Sequence, residues 1–113
     1  MTELIEKKSR FIAFSYKVEN EIEAKIIIEN IAKEHKRCRH VVYAYVIGDI
    51  AKYSDAGEPR GTAGLPAMNA IQRRNLNNIL VIIVRYFGGV LLGKGGLIRA
   101  YGKAAGRELD SLI

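Results

Sequence analysis

The sequence predicts one domain with an α/β (α+β) two-layer sandwich fold. Segments with strand periodicity alternate with segments of helical periodicity in the order β-α-β-(β)-α-β-α, where the bracketed element is a short strand near 52–55. Residues 79–84 are apolar at every position, which predicts a strand buried on both faces. Because 49% of the 113 residues are apolar, residues 1–113 can bury one core.

The first strand and the first helix follow from side-chain periodicity. Over residues 12–18, large apolar side chains alternate with small or polar ones, as on a strand with one buried face. Asn20 is a suitable helix N-cap, and Glu23 stands three residues later. A helix is predicted over 21–36 because its main apolar residues share one side of a helical wheel. These residues are Ala24, Ile27, Ile28 and Ile31.

The remaining elements are predicted in the same way. Residues 41–47 are rich in β-branched and aromatic side chains and form the second strand. The stretch 48–64 is long and irregular, which in a small domain usually indicates a functional loop. Pro66 favours the first turn of a second helix that ends near Arg74. Three further elements complete the chain: the apolar strand 79–84, a glycine-dense segment 88–96 and a last helix 97–112.

Composition and charge exclude several classes of protein. Cys38 is the only cysteine, so an internal disulfide is impossible, which fits a cytoplasmic protein. The apolar run 79–84 is far shorter than the ~20 residues of a membrane helix, and residues 1–10 lack the apolar segment of a signal peptide. Cys38 and His40 are too few ligands for zinc, so no metal or cofactor is predicted. The net charge of +6 favours a polyanionic partner.

The glycine-dense segment has two interpretations. The spacing of Gly88 and Gly93-Lys94 matches a Walker phosphate loop, but Gly95 stands where that motif needs Ser or Thr to hold magnesium. The amides of Gly95 and Gly96, with Lys94 beside a helix N-terminus, would favour an anion. The same glycines would equally permit a tight turn, and both interpretations stay open.

The irregular loop contains weak candidates for catalysis. Asp55 and Glu58 are carboxylates three residues apart, suited to acid–base chemistry or, with a third ligand, to holding a metal, although both residue types are also ordinary in loops. His40 is the third candidate, and it would have to meet Cys38 in space to form a catalytic pair. Thr62, or the amides beside it, would cap the second helix and offer a second anion site.

The last helix carries a basic stripe, formed by Arg99, Lys103 and Arg107 at intervals of four residues. The opposite side carries the side chains expected to pack against the sheet, which are Ile98, Tyr101, Ala105, Leu109 and Leu112. The basic stripe is either a solvated helix face or a surface that follows phosphate groups. Gly102 and Gly106 predict the close approach of another backbone to this helix.

Arg85 ends the apolar strand and is the least expected residue there. A guanidinium at a buried strand end is normally paired, and Asp55 or Glu58 is the available partner. Such a pair would fasten the irregular loop to the sheet. Arg85 would alternatively point into the groove between the two glycine-containing loops and meet an anion. The structural role is preferred, and the two roles are compatible.

Two long motifs resemble the signatures of the Impact/YigZ family. Residues 55–66 read DAGEPRGTAGLP, and residues 84–101 read VRYFGGVLLGKGGLIRAY. The stretch 8–11, which reads KSRF, and the pair Arg39-His40 also resemble landmarks of this family. The resemblance covers nearly the whole chain, with its motifs in the family's order.

The resemblance implies a fold like the second domain of the fifth small-subunit ribosomal protein, with a mixed sheet and helices on one face. Eukaryotic members regulate translation by competing for the activator of a translation-control kinase, and association with ribosomes or nucleic acid is proposed for bacterial members. The family commonly carries a C-terminal ferredoxin-like domain, which is expected to be absent from residues 1–113. The sequence leaves open an excised domain or a short family member.

Residues and resemblance together support three hypotheses. The first is a cytoplasmic binding domain associated with translation, which contacts RNA or the ribosome. The second is a phosphate-ester or nucleotide-binding enzyme that uses Asp55, Glu58, His40 and Lys94. The third is a protein-interaction module in translation control. Under the first hypothesis, the residues assigned to nucleic-acid or anion binding are Arg60, Thr62, Arg85, Lys94, Gly95, Gly96, Arg99, Lys103 and Arg107.

Ile22 and Ile26 lie away from the apolar side of the first predicted helix. In one interpretation Ile22 lies beneath the N-terminal segment. In the other, this edge docks against the absent second domain or a second copy of the chain. We predict that Ile26 is more than about one-quarter exposed and that Ile26→Glu leaves folding intact, since surface changes cost little. A melting temperature lowered by more than ~8 °C, about 1–2 kcal/mol, would instead show that Ile26 belongs to the core.

Overall fold

The computed structural model describes residues 1–112, which form five strands and three helices. The strands are β1 (Thr2–Glu6), β2 (Ser9–Lys17), β3 (His40–Ile47), β4 (Ile50–Ser54) and β5 (Ile79–Tyr86). The helices are α1 (Glu21–Glu34), α2 (Gly64–Arg73) and α3 (Gly93–Asp110). Every predicted element is present, the short strand near 52–55 included, and β1 is an additional strand.

The five strands form one sheet in the order β1-β2-β5-β3-β4, and each neighbouring pair is antiparallel. The α/β class is therefore confirmed, whereas the expected mixed sheet is corrected. The strands β2 and β3, which α1 connects, do run parallel to each other. However, β5 lies between them and pairs with both in the antiparallel direction.

Helices cover both faces of the sheet, which corrects the expected two layers with helices on one face. Val81 and Ile83 of β5 pack with α2 and α3, while Leu80, Ile82 and Val84 pack with α1 on the opposite face. The physical reason lies in β5 itself. A strand that is apolar on both faces needs cover on both faces, because exposed apolar area is unfavourable in water.

The first helix begins where its cap predicts. The side-chain oxygen of Asn20 accepts a hydrogen bond from the Glu23 amide at 2.8 Å, which satisfies one free donor of the first turn.

Ile26 is 53% exposed, so the prediction of its exposure is confirmed. Ile22 is 73% exposed, which contradicts the interpretation that it lies beneath the N-terminal segment. Among residues 1–112, no helix has the length and apolar character needed to cross a bilayer.

The second helix begins at Gly64 and is capped from the irregular loop. The Asp55 carboxylate accepts hydrogen bonds from the amides of Gly61, Ala63 and Gly64 at 2.9, 3.1 and 2.9 Å. Gly64 has no room for a side chain, because a Cβ there would lie 2.6 Å from the Ser54 carbonyl oxygen. The cap is therefore supplied by Asp55, nine residues before Gly64, and the start of α2 lies close to the backbone of Ser54.

The turn between β1 and β2 is held against the loop that precedes α3. Lys7 and Lys8 form this turn with φ of 44° and 68°, a backbone region that residues other than glycine rarely adopt. A Cβ on Gly88 would overlap the backbone of Lys8, so only glycine allows this approach. On the other flank of α3, the nearest groups to Gly102 and Gly106 are side-chain atoms of Pro66 and Arg74, not the expected backbone.

We predict that Asp55→Ala destabilises the domain by about 2 kcal/mol, because it leaves three amides around the start of α2 without their acceptor. Asp55→Asn should recover part of this loss, since an asparagine side chain also caps helices. Asp49→Ala is the control at an exposed position, with an expected change within ~0.5 kcal/mol. Urea unfolding of the three variants measures the difference, and equal stabilities for Asp55→Ala and Asp49→Ala would contradict the assignment of the cap.

Candidate functional site

The basic stripe on α3 faces solvent. Arg99, Lys103 and Arg107 are all exposed, as the spacing predicts. On the opposite side of the helix, Tyr101, Ala105 and Leu109 are buried, also as predicted. Ile98 and Leu112 differ from the prediction: both are exposed, Ile98 by 45%. Ile98 therefore adds an apolar side chain to the surface beside the stripe.

Two surface cavities lie on either side of the stripe, and Arg99 and Lys103 line both. The first cavity, about 270 Å³, lies against the β1–β2 turn and is also lined by Glu6, Lys7, Leu92, Gly96 and Ala100. The second cavity, about 380 Å³, lies between α2 and α3 and is also lined by Pro66, Asn69, Arg73, Ile98 and Gly102. Arg99 and Lys103 thus form a cationic ridge between the two cavities.

Lys7 and Arg73 are members of this surface that sequence reasoning missed. Lys7 is far from the last helix in the sequence, and only the packing of the β1–β2 turn brings it beside Arg99. The sequence could have indicated Arg73 as part of a basic surface, because residues 59–107 contain no Asp or Glu. The cations in that acid-free stretch are Arg60, Arg73, Arg74, Arg85, Lys94, Arg99, Lys103 and Arg107.

The other predicted anion-binding residues lie around this surface or inside the protein. Arg60 and Lys94 are exposed, although neither lines the two cavities. Gly96 lines the first cavity, and Gly95 lies next to the Arg99 guanidinium. Thr62 is buried, and its hydroxyl donates to the Pro59 carbonyl oxygen at 2.5 Å. The second anion site expected there is occupied by the protein's own Asp55 carboxylate.

A buried ionic centre lies beneath the surface, and it joins Arg85 to Glu58. Nη1 of Arg85 donates to both Glu58 oxygens, at 2.9 and 2.7 Å. Nη2 donates to the Ser9 hydroxyl oxygen at 3.3 Å, and this oxygen also accepts from the Gly88 amide. Of the two predicted partners for Arg85, the structure selects Glu58. The pair fastens the irregular loop to the central strand, which is the structural role preferred for it.

Arg85 is only 5% exposed, so its guanidinium does not reach solvent to meet an anion. Its charge lies 5.5 Å from the ring centre of Phe11 and 5.6 Å from that of Phe87, where aromatic faces favour a cation. Within residues 1–112, its Nε is buried with no hydrogen-bond partner. The anion-binding role considered for Arg85 therefore has no support in the geometry.

The weak catalytic candidates do not converge on an open site. The Asp55 carboxylate is engaged by backbone amides, and the Glu58 carboxylate is buried against Arg85. Nδ1 of His40 lies 2.7 Å from the Ala56 carbonyl oxygen, and its Nε2 lies 3.3 Å from Glu58. Cys38 packs into the cluster on the α1 face, and burial raises the pKa of its thiol, which disfavours the reactive thiolate. Across residues 1–112, no three His, Cys, Asp or Glu side chains gather as a metal site.

Tyr101 completes the ionic centre from α3. Its hydroxyl donates to the second Glu58 oxygen at 2.5 Å. Burial, together with this hydrogen bond, raises the pKa of the Tyr101 hydroxyl well above 10, so the hydroxyl remains a donor at neutral pH. Because the pKa is higher in the folded state, the stabilisation is present below pH 10 and is lost as the pH rises further.

We predict that Tyr101→Phe lowers the free energy of unfolding by about 1–3 kcal/mol, because a buried carboxylate loses one of its donors. Tyr53→Phe, at an exposed tyrosine of β4, should change it by less than ~0.5 kcal/mol. The Tyr101→Phe variant should also lose stability less steeply above pH 10. Denaturant unfolding at pH 7 and pH 11 measures both effects, and a Tyr101→Phe variant as stable as the parent would refute the role of this hydroxyl.

Comparison with known proteins matches the sequence and the fold to one family. The model of the Impact N-terminal domain matches residues 7–109. YvyE of Bacillus subtilis (strain 168), an IMPACT family member, is 44% identical over 113 residues, which cover 97% of the chain and 52% of the relative. YigZ of Escherichia coli (strain K12) is 40% identical over 111 residues, with 94% and 54% covered. The chain thus spans about half the length of these curated relatives.

Two solved structures are similar to this domain. A crystal structure of a hypothetical protein superposes with a TM-score of 0.94 at 37% identity, covering 96% of this chain and 55% of the other. The two-domain translational regulator Yih1 shares the fold at a TM-score of 0.57 and 20% identity, covering 94% and 45%. The family suggested by the sequence motifs is confirmed: the chain belongs to the Impact family and matches its N-terminal domain.

Proposed function

We propose that this chain is a cytoplasmic binding domain of translation control that contacts RNA, free or within the ribosome, through the face formed by α2 and α3. The link to translation comes from a similar fold, that of the translational regulator Yih1. The link to RNA comes from the cationic ridge of Arg99 and Lys103. This ridge is the observation that carries the proposal.

The charge distribution supports a nucleic-acid surface over a generally solvated helix. A solvated helix face usually mixes both signs of charge, whereas residues 59–107 supply cations and no carboxylate. By contrast, α1 on the opposite face of the sheet carries both signs of charge, with Lys25 and Lys33 among four glutamates, which are Glu21, Glu23, Glu29 and Glu34. A polyanion would therefore be attracted to one side of the domain and oriented by the other.

The shape of the surface suits a phosphate backbone. Arg99 and Lys103 are one helical turn apart, which separates them by roughly 6 Å along the axis. Arg73 and Lys7 extend the positive charge to either side of the ridge, one in each cavity. Contacts of this kind hold a strand in place without reading its sequence, since phosphates carry no sequence information.

We predict that a labelled single-stranded RNA binds with a log–log salt slope of about −0.7 for each phosphate contacted. The double variant Arg99→Gln with Lys103→Gln should weaken binding and make the slope shallower by about 1.4, since two contacts are lost. The matched control is Lys25→Gln with Lys33→Gln on α1, which removes the same charge from the opposite face.

Fluorescence anisotropy at several salt concentrations measures these slopes. Absence of binding at low salt, or binding without a salt slope, would remove the proposal. An equal loss in the α1 control would show that net charge, and not the ridge, drives the association.

A protein-interaction module is the second candidate, because Ile22 and Ile26 expose an apolar edge on α1. A partner retained after nuclease treatment and lost in Ile26→Glu would favour it over RNA binding. A phosphate-ester enzyme has less support, since Asp55 and Glu58 are engaged in contacts within the protein. Calorimetric titration with ATP and magnesium tests it, and silence to millimolar concentration would remove it.

A further inference from the structure

We propose that the first cavity, between the β1–β2 turn and the start of α3, is a binding site for a phosphate monoester. The cavity is about 270 Å³, slightly below the ~300–1,000 Å³ of small-molecule pockets. It has room for a phosphate group and part of an attached sugar. Three cations from two distant parts of the chain line it, namely Lys7, Arg99 and Lys103.

The charge of the cavity matches a doubly charged ligand. Glu6 also lines it, so the three cations and one carboxylate leave a formal charge of +2. Among the described residues, only Lys103 of the three cations has a carboxylate within ion-pair distance, with Nζ 4.0 Å from Glu6. A phosphate monoester carries about −1.5 to −2 at pH 7, whereas a phosphodiester within a strand carries −1. The monoester is therefore the better electrostatic match.

The backbone of the turn that carries Lys7 is held in place before any ligand binds. Lys7 and Lys8 adopt positive φ, where glycine or asparagine would be favoured in a two-residue hairpin turn. The turn has lysine at both positions, and the close approach of Lys8 to Gly88 holds its backbone in place. Strained residues held by their surroundings are frequent at binding sites. This approach keeps the backbone of Lys7 at the cavity that α3 also lines.

The first turn of α3 adds partial positive charge to the same place. Leu92 is the N-cap and offers no side-chain acceptor, and the first turn contains no acidic residue. Leu92 and Gly96 line the cavity, so the positive end of the helix dipole lies near the three cations. The helix dipole and the three cations together favour phosphate oxygens more than either would alone.

Two sources of the monoester share this chemistry: the 5′-phosphate of an RNA strand and a free mononucleotide. The RNA source deepens the proposed function and rests on it, because the strand would continue from the cavity over the ridge of Arg99 and Lys103. The mononucleotide source does not depend on it. The test therefore compares the two sources directly.

The experiment measures fluorescence anisotropy with two 3′-labelled oligoribonucleotides of one sequence, which carry a 5′-phosphate or a 5′-hydroxyl. We expect the 5′-phosphate strand to bind about tenfold more tightly at low salt. Lys7→Gln should abolish this preference, and the matched Lys8→Gln, which removes the same charge from the same turn, should retain it. Glu6→Gln should tighten binding of the 5′-phosphate strand about threefold, because it removes a nearby negative charge. Circular dichroism melting verifies that each variant is folded.

A parallel titration follows amide NMR shifts with AMP and with inorganic phosphate. Shifts at Lys7 and Gly96 with AMP, even without RNA binding, would support the cavity while contradicting the proposed function. Equal affinity for the two RNA strands, without AMP shifts at the cavity, would overturn the inference and leave general RNA binding intact. A 5′-phosphate preference that survives Lys7→Gln would also overturn it.

Discussion

The buried pair of Glu58 and Arg85 connects the central strand to the irregular loop and to α3. Removing two charges from water is unfavourable, and further hydrogen bonds to the pair offset part of that cost. Here Tyr101 and His40 approach the carboxylate, while Ser9 accepts from the guanidinium. These residues belong to β2, β3, β5, α3 and the irregular loop. One ionic centre therefore joins four of the eight elements and the irregular loop at one end of the sheet.

The centre also determines which side of α3 meets solvent. Tyr101 is held by Glu58 and by edge-to-face packing against Phe11, with ring centres 5.0 Å apart. A helix with one residue so fixed presents its opposite side outward, and Arg99 and Lys103 lie there. Ser9, through the Gly88 amide, connects the same centre to the loop before α3 and to the lysine turn that packs on it. Contacts with the buried Glu58–Arg85 pair thus determine the orientation of α3 and, with it, the position of the basic surface.

Much of the fold could be predicted because its signals are local. Asn20 caps α1 through a side chain three residues from its donor, and the apolar run of β5 requires burial whatever surrounds it. The strand β1 had no such signal. Leu4 is the buried residue among its five positions, and the strand is further held by Glu108 of α3, whose carboxylate accepts from Thr2 and Ser15. An edge strand with polar anchors lacks the apolar alternation from which strands are predicted.

Sequence patterns were sufficient to predict the class of fold, the family, the burial of β5 and the exposure of the basic stripe, because each follows from residues close together in the chain. The three-dimensional structure was needed to show that α1 covers the second face of the sheet and that Arg85 pairs with Glu58. It also showed that Asp55 caps α2 and that Lys7 joins Arg99 in one cavity. These choices depend on contacts between residues far apart in sequence, and periodicity carries no information about which distant partner lies nearest.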